Sequence, residues 1–372
     1  MIRSRLFLAA LLLSSPIAGR VCAAEAPAAA LAPVEAMNQT ARDAFNRQPF
    51  VPAPAFDAAL KFYLEFPDDY RSRGWLLNLA YFTHGPLLDH NLSVADQTAY
   101  QAVLRPRLAQ VLATPGLSDE RWESLMTIEI TRNLGIHQGR LQPADSDMSL
   151  AVLRQKIDAL AARRPKASGL RRAEIDYVEI LEAKEPAAVE PQLKKLLGSP
   201  NEAVAKMAQG RLNVRAAYRT PMEMSFTAVD GREVDLKRLR GKVVLIDFWA
   251  TWCGPCIAEL PNVKKVYADY HARGFEVVGI ALEEGKLAPG DTPAQRTEKL
   301  AKAKKVLVDF AVKSELPWPQ HFDGQYWQNE ISTRYAIFAI PAMFLLDQDG
   351  KVVSTNARGD LLEQEVKRLL KL

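Results

Sequence analysis

The sequence predicts an all-α N-terminal domain followed by an α/β domain with a mixed central sheet flanked by helices. Three observations carry that expectation. From about 35 to 218, apolar residues recur at three- and four-residue spacing. Beyond about 221, short apolar runs rich in β-formers alternate with helical stretches. Two Asp-Gly turns, Asp230-Gly231 and Asp349-Gly350, each sit between such runs and mark hairpins, which would make the sheet mixed.

The chain opens with Met1, Arg3 and Arg5, an apolar run from Leu6 to Leu13, and small residues up to Cys22-Ala23-Ala24. A basic start, a short apolar centre and a small-residue end are the parts of a signal peptide, here residues 1–24, cut after Ala23 or Ala24. The run is too short for a bilayer core, which needs about 20 residues, so a retained anchor is the weaker reading. Arg20 stands two residues before Cys22, where a lipidation signal asks for a small residue. Residues 25–34 are Ala/Pro-rich and read as a poorly ordered leader.

Helices are expected over Phe56 to Phe66, Val94 to Leu112, Asp119 to Leu134, Ser149 to Arg163 and Leu170 to Ala183. Ser118 ahead of Asp119 and Glu120 reads as a helix start. Pro115-Gly116, Pro143, Pro165, Pro186 and Ser199-Pro200 punctuate this region without a fixed period, so no repeat array is inferred. Residues 35–218 hold no catalytic spacing, and their role stays open.

In the second half, Met224 to Val229 and Arg232 to Leu236 form the first hairpin. Val243 to Trp249 suits a central strand buried on both faces. A helix over 257–272, a strand over Phe275 to Leu282 and a charged helix from about Thr292 to Val312 follow. Ala342 to Leu346 and Val352 to Thr355 make the second hairpin, and an amphipathic helix from Leu361 to Leu370 ends the chain.

A length of 372 residues fits two domains, and the composition is that of a globular protein. The net charge of +4 includes Arg3, Arg5 and Arg20, so the chain after residue 24 carries only about +1. A near-neutral mature chain offers no electrostatic case for nucleic acid. Of the three cysteines, only Cys253 and Cys256 remain after Cys22 is removed. A bond between them closes a tiny loop and constrains the unfolded chain little, so their value is chemical rather than structural.

Those two cysteines stand in Asp247-Phe248-Trp249-Ala250-Thr251-Trp252-Cys253-Gly254-Pro255-Cys256, where a strand feeds a turn and then a helix. A helix N-terminus offers unpaired N–H groups and the positive end of a dipole, which stabilise a thiolate. Cys253 is therefore expected to be an exposed nucleophile. Pro255 suits the first turn, where its missing N–H costs little. Cys256, one turn further, is in reach to resolve a mixed disulfide. Asp247, in an apolar strand, should have its pKa raised by burial. Glu259 lies three residues past Cys256 on the same helix face.

GKVVLIDFWATWCGPCIAELP, the following FEVVGIAL and the late AIPAMFLLDQDGKVV together resemble the TlpA/ResA-like thiol–disulfide oxidoreductases, in the redoxin group of the thioredoxin superfamily. The resemblance covers about 221–372 and implies a thioredoxin-like fold there. It implies that Cys253 attacks and Cys256 resolves, with the Cys253–Cys256 disulfide as the redox group and no other cofactor. Ile340-Pro341 matches the cis-proline loop that receives substrate backbone, and Trp249 and Trp252 match the aromatic residues flanking the cysteines. Trp249 reads equally as core. Asp247 matches the buried acid that helps deprotonate the resolving cysteine. Many TlpA-like proteins carry a neutral residue there, so the acid leans toward thioredoxin. In ResA-like members a glutamate at the spacing of Glu259 influences cysteine titration, so the main proton acceptor is left open between the two.

The Gly-Pro pair resembles reducing thioredoxin, near about −270 mV, rather than the oxidant DsbA near about −120 mV. The expected activity is reduction of client-protein disulfides outside the cytoplasm, in the periplasm or an equivalent compartment, fed by a membrane-borne thiol donor. The alternatives are a disulfide isomerase dimerised through the helical region, or a binding and assembly protein that uses the fold as a scaffold. Zinc is disfavoured because His84, His90, His137, His271 and His321 show no paired ligand spacing near the cysteines. The domain also resembles peroxiredoxins at the fold level, but those proteins place a threonine three residues before the attacking cysteine, whereas Thr251 lies two before Cys253, so a peroxidase is disfavoured. N-terminal sequencing of the protein recovered from a secreting host is expected to begin at Ala24 or Glu25; an intact Met1 end would overturn the signal-peptide reading.

Overall fold

The computed structural model describes residues 28–46, 52–66, 69, 71, 72, 74, 75, 94–139 and 149–372. The expected signal peptide and Cys22 lie outside the described residues. Among the described residues, no helix is long and apolar enough to cross a membrane. The chain divides into two compact units, the first reaching to Pro186 and the second spanning Ala187–Leu372.

The first unit is helical: α1 (Ala28–Asn46), α2 (Pro52–Glu65), α3 (Val94–Leu112), α4 (Asp119–His137), α5 (Leu150–Arg163) and α6 (Leu170–Lys184). Ser118 and Ser149 cap α4 and α5 by accepting from the backbone N–H groups of Arg121 and Val152. Among the described residues, Phe56, Ala59, Tyr63, Leu108, Leu125 and Ile128 form one of its apolar clusters. The leader expected over 25–34 is helical from Ala28 onward. Alanine is the best helix former, and one Pro33 removes only one backbone bond.

The second unit begins with α7 (Pro186–Leu196) and α8 (Glu202–Ala217), then β1 (Ser225–Thr227), β2 (Glu233–Asp235), β3 (Val243–Trp249), α9 (Gly254–Tyr270) and β4 (Phe275–Ala281). It continues with α10 (Pro293–Lys313), β5 (Gln320–Phe322), α11 (Glu330–Arg334), β6 (Ala342–Leu346), β7 (Val352–Ser354) and α12 (Asp360–Leu370). The sheet order is β5-β4-β3-β6-β7, with β3, β4 and β5 parallel and β6 antiparallel to both β3 and β7. This is the thioredoxin-like arrangement. The first hairpin does not contribute to the mixed sheet: β1 and β2 pair only with each other, and β6 supplies the antiparallel neighbour of β3. β5, three residues long with a polar first residue, has no apolar run to mark it in the sequence.

Every residue of β3 is buried, and its side chains alternate between two cores. Val243, Leu245 and Trp249 face Leu260, Val263 and Val266 of α9, Leu307 of α10, and Leu362 and Val366 of α12. Val244, Ile246 and Phe248 face Met224, Val234, Leu236, Ile331 and Tyr335. The short polar Asp247 thus falls on the α9 face.

The division into compact units falls near Pro186, so α7 and α8 pack with the second unit, ahead of the α/β region expected from about 221. Ala217 enters the core of the face opposite α9, and Asn213 Nδ2 of α8 donates to the Arg334 carbonyl (2.8 Å). Gly210 of α8 allows close approach to Ala336, a left-handed residue (φ 53°): a Cβ on Gly210 would lie 2.6 Å from the Ala336 nitrogen. In an exposed helix, Gly→Ala stabilises by about 1 kcal/mol. Gly210→Ala is instead expected to destabilise the second unit by roughly 1–3 kcal/mol, read by urea denaturation of the full chain.

Candidate active site

β3 delivers the chain to the turn at Ala250–Trp252, and α9 starts immediately after Cys253. Cys253 is the N-cap of α9 (φ −89°, ψ 95°), and its Sγ accepts the Cys256 N–H at 3.2 Å. Pro255 occupies the first turn, as expected. Cys253 and Cys256 are joined by a disulfide, with Cα atoms 5.2 Å apart. The helix begins three residues earlier than its apolar periodicity indicates, because the Gly-Pro pair carries no apolar side chain to mark it.

Cys253 is 4% exposed, so the expectation of an exposed sulfur is corrected for this disulfide-bonded state. Both cysteines belong to the apolar cluster on the α9 face, against which Ile340 also packs. The Ile340-Pro341 peptide is cis. It immediately precedes Ala342, which pairs with Phe248 near the end of β3, so Pro341 stands at the sheet end where the cysteine turn begins.

Asp247 is 1% exposed, and its Oδ1 has no hydrogen-bond partner. Burial pushes its carboxyl up to about 7, and the Glu259 carboxylate adds to the rise. Glu259 is half-buried and has structural partners: its Oε1 accepts the Gly359 N–H (2.8 Å) and Asn262 Nδ2 (2.7 Å), tying α9 to the start of α12. The two acids therefore differ in kind. Asp247 is dry, near neutrality in its titration and on the face that packs against Cys256; Glu259 acts on it through space.

Trp249 is fully buried and packs against Phe310, with its Nε1 donating to Gln320 Oε1 (2.9 Å). Its placement is that of a core residue. Trp252 is 45% exposed and donates from Nε1 to the Leu282 carbonyl (3.1 Å). Its ring meets Tyr326 and Trp327 at centroid distances of 5.2 and 5.9 Å, which builds an aromatic wall beside the cysteine turn.

Sequence reasoning missed that wall and one further acid. Glu283, 5% exposed, accepts the Thr251 N–H (2.6 Å) and the Thr251 hydroxyl (3.0 Å), and its carbonyl accepts the Tyr326 N–H (3.2 Å). It thus holds the cysteine turn and the aromatic segment together. Burial pushes its carboxyl up, opposed by the two bonds from Thr251. The available signal was its position, two residues past β4, the strand paired with β3.

A buried acid with a raised pKa stabilises the fold while it is protonated. That contribution is complete below the unfolded carboxylate value near 4 and is lost as the pH climbs to about 7. Asp247→Asn is therefore expected to stabilise the oxidised protein at pH 8, by on the order of 4 kcal/mol. At pH 4 it should change stability little. Denaturant melts at the two pH values check the sign.

The Redoxin family profile matches residues 216–370. The chain is 28% identical over 145 residues to the thiol-disulfide oxidoreductase ResA of Bacillus thuringiensis subsp. konkukian, covering 39% of this chain and 71% of that protein. It is 29% identical over 155 residues to the ResA of Geobacillus thermodenitrificans, covering 42% of this chain and 76% of that protein. Among solved structures, a thioredoxin family thiol:disulfide interchange protein from Chlorobium tepidum aligns at 24% identity with a TM-score of 0.31, covering 41% of this chain and 96% of that one. Residues 216–370 of this chain are a Redoxin domain with a thioredoxin-like fold.

Proposed function

We propose that this protein is an exported thiol–disulfide oxidoreductase that reduces disulfides of client proteins through Cys253 and Cys256. The general assignment, a thioredoxin-like protein-disulfide oxidoreductase, rests on the Redoxin match and on relatives named for that activity. The single observation that carries the finer reading is a cysteine pair bonded across the first turn of α9, with the outer sulfur at the helix N-cap. Export rests on the basic, apolar and small-residue order of residues 1–24.

In the dithiol form, the Cys253 thiolate attacks one sulfur of a client disulfide, forming a mixed disulfide and releasing the other client sulfur as a thiolate. The Cys256 thiol loses its proton to Asp247, and the resulting thiolate attacks Cys253 Sγ. That step forms the internal disulfide and frees the second client sulfur. Two electrons pass to the client, two protons complete its thiols, and Cys253–Cys256 is left oxidised. A dithiol donor, here placed at the membrane, returns it to the reduced state. Both electrons travel on sulfur, so the step calls for no metal, nucleotide or flavin.

The N-cap position supports the first step, because the N–H of Cys256 already points at Cys253 Sγ and the dipole favours negative charge there. The raised Asp247 pKa supports the second, since an acid titrating near neutrality can take a thiol proton and return it. Pro341 and Ile340 are proposed to receive the client backbone, and Trp252 to bound the client's approach on the other side.

Wild-type protein is expected to catalyse reduction of insulin disulfides by dithiothreitol, and Cys253→Ser to fall to the uncatalysed rate. Cys256→Ser, expressed in the native host, should accumulate clients bonded to Cys253. Wild-type turnover no faster than dithiothreitol alone would return the scaffold reading. Refolding of scrambled ribonuclease by a sedimenting dimer would return the isomerase.

A further inference from the structure

Two deeply buried polar atoms in one row of the sheet lack hydrogen-bond partners: Asp247 Oδ1 and Gln320 Nε2. Asp247 of β3 pairs with Gly279 of β4, and Gly279 pairs with Gln320 of β5. Gly279 leaves room above the sheet, and the Gln320 carboxamide fills it: a Cβ on Gly279 would lie 2.9 Å from Nε2 and closer still to Oε1. The Gln320 side chain therefore lies over β4 and reaches β3, where its Oε1 accepts the Trp249 indole N–H at 2.9 Å. An indole nitrogen only donates, so this bond fixes which end of the carboxamide is oxygen. The amino end is left with two hydrogens. Trp249 and Asp247 are two residues apart on β3 and share a face. One unpartnered donor and one unpartnered acceptor thus occupy the same dry row, at residues 2% and 1% exposed.

We propose that Gln320 is a positioning residue for Asp247: its Nε2 donates to an internal water that donates to Asp247 Oδ1, holding the carboxylate toward Cys256. Buried polar groups without protein partners are the places where internal water is held. Trp249 and Gly279 acquire roles in the same device, the first by orienting the carboxamide and the second by making space for it. The titratable groups facing Asp247 are Cys256 and Glu259 of α9. Its strand neighbours Gly279 and Met343 and the β5 residue Gln320 carry no charge, while α10 and α12 present Leu307, Leu362 and Val366. A donor to the ionised form favours ionisation, so Gln320 lowers the Asp247 pKa from the value that burial alone would set.

This inference rests on the proposed role of Asp247 as proton acceptor, and the test separates the two. In the full-length reduced protein, the carboxyl infrared band of Asp247, identified by its loss in Asp247→Asn, reports its ionisation. Gln320→Met, which keeps volume and removes the amide, is expected to move that ionisation up by about one pH unit. The pH profile of the resolving step should move with it. In the Asp247→Asn background, Gln320→Met should leave the profile where Asp247→Asn alone puts it. In the unmutated protein, the Gln320 side-chain amide NMR resonances should titrate with the same midpoint as the Asp247 band, which keeps the test open if Gln320→Met does not fold. A folded Gln320→Met with an unmoved band, or amide resonances flat across that midpoint, overturns the proposal. A resolving-step profile unaltered by Asp247→Asn, alongside a band moved by Gln320→Met, overturns the proton-acceptor role and leaves the Gln320–Asp247 link standing.

Discussion

Burial of β3 on both faces is the constraint on which the sulfur pair depends. A seven-residue strand with apolar cores above and below cannot slip by one position without moving all its side chains to the wrong face. That fixed register sets where the chain leaves the sheet, and therefore where α9 starts. Cys253 stands at the N-cap because Trp249 is anchored four residues earlier by Phe310 and Gln320. Glu283 secures the intervening turn from the neighbouring strand's end. Cys253 is on a loop only nominally; each side of it is held by buried contacts.

The same constraint accounts for the electrostatics. Alternation along β3 forces position 247 into the face beneath α9, where any residue is dry. An acid there retains its proton to an unusually high pH, with Glu259 reinforcing the effect from α9. Glu259 itself is committed to Gly359 and Asn262, so its influence on the neighbouring acid comes with an anchoring duty between α9 and α12. The two acids that the sequence singled out thus differ in setting: Asp247 is buried with an unpartnered Oδ1, whereas Glu259 is half-buried and hydrogen-bonded to Gly359 and Asn262.

What could be read from sequence followed the range of the forces involved. β3, β4, β6 and most helices are local patterns of apolar spacing, and they stand within a few residues of where periodicity places them. The cysteine motif was legible for the same reason, since strand, turn and helix are contiguous. Pairing was not: the first hairpin is evident in Met224 to Leu236, but its separation from the main sheet is decided by what packs on Val244, Ile246 and Phe248. β5, Glu283, Gln320 and the Tyr326–Trp327 wall join the site from distant segments and have no repeating signal. The burial of Cys253 likewise comes from an apolar cluster drawn from distant segments, which no local window contains.

The contact of Gly210 with Ala336 gives α8 a significance that similarity to relatives does not convey. The profile match opens at residue 216, yet the bare helical glycine that accommodates Ala336 lies before it, and Ala336 is four residues upstream of Ile340. A fragment cut at the edge of the recognisable domain would discard the surface on which the approach to the cis-proline rests. The stretch that carries the family match and the compact unit in which it folds therefore do not coincide, and the segment leading into the cis-proline is buttressed by a helix that lies almost wholly outside the match.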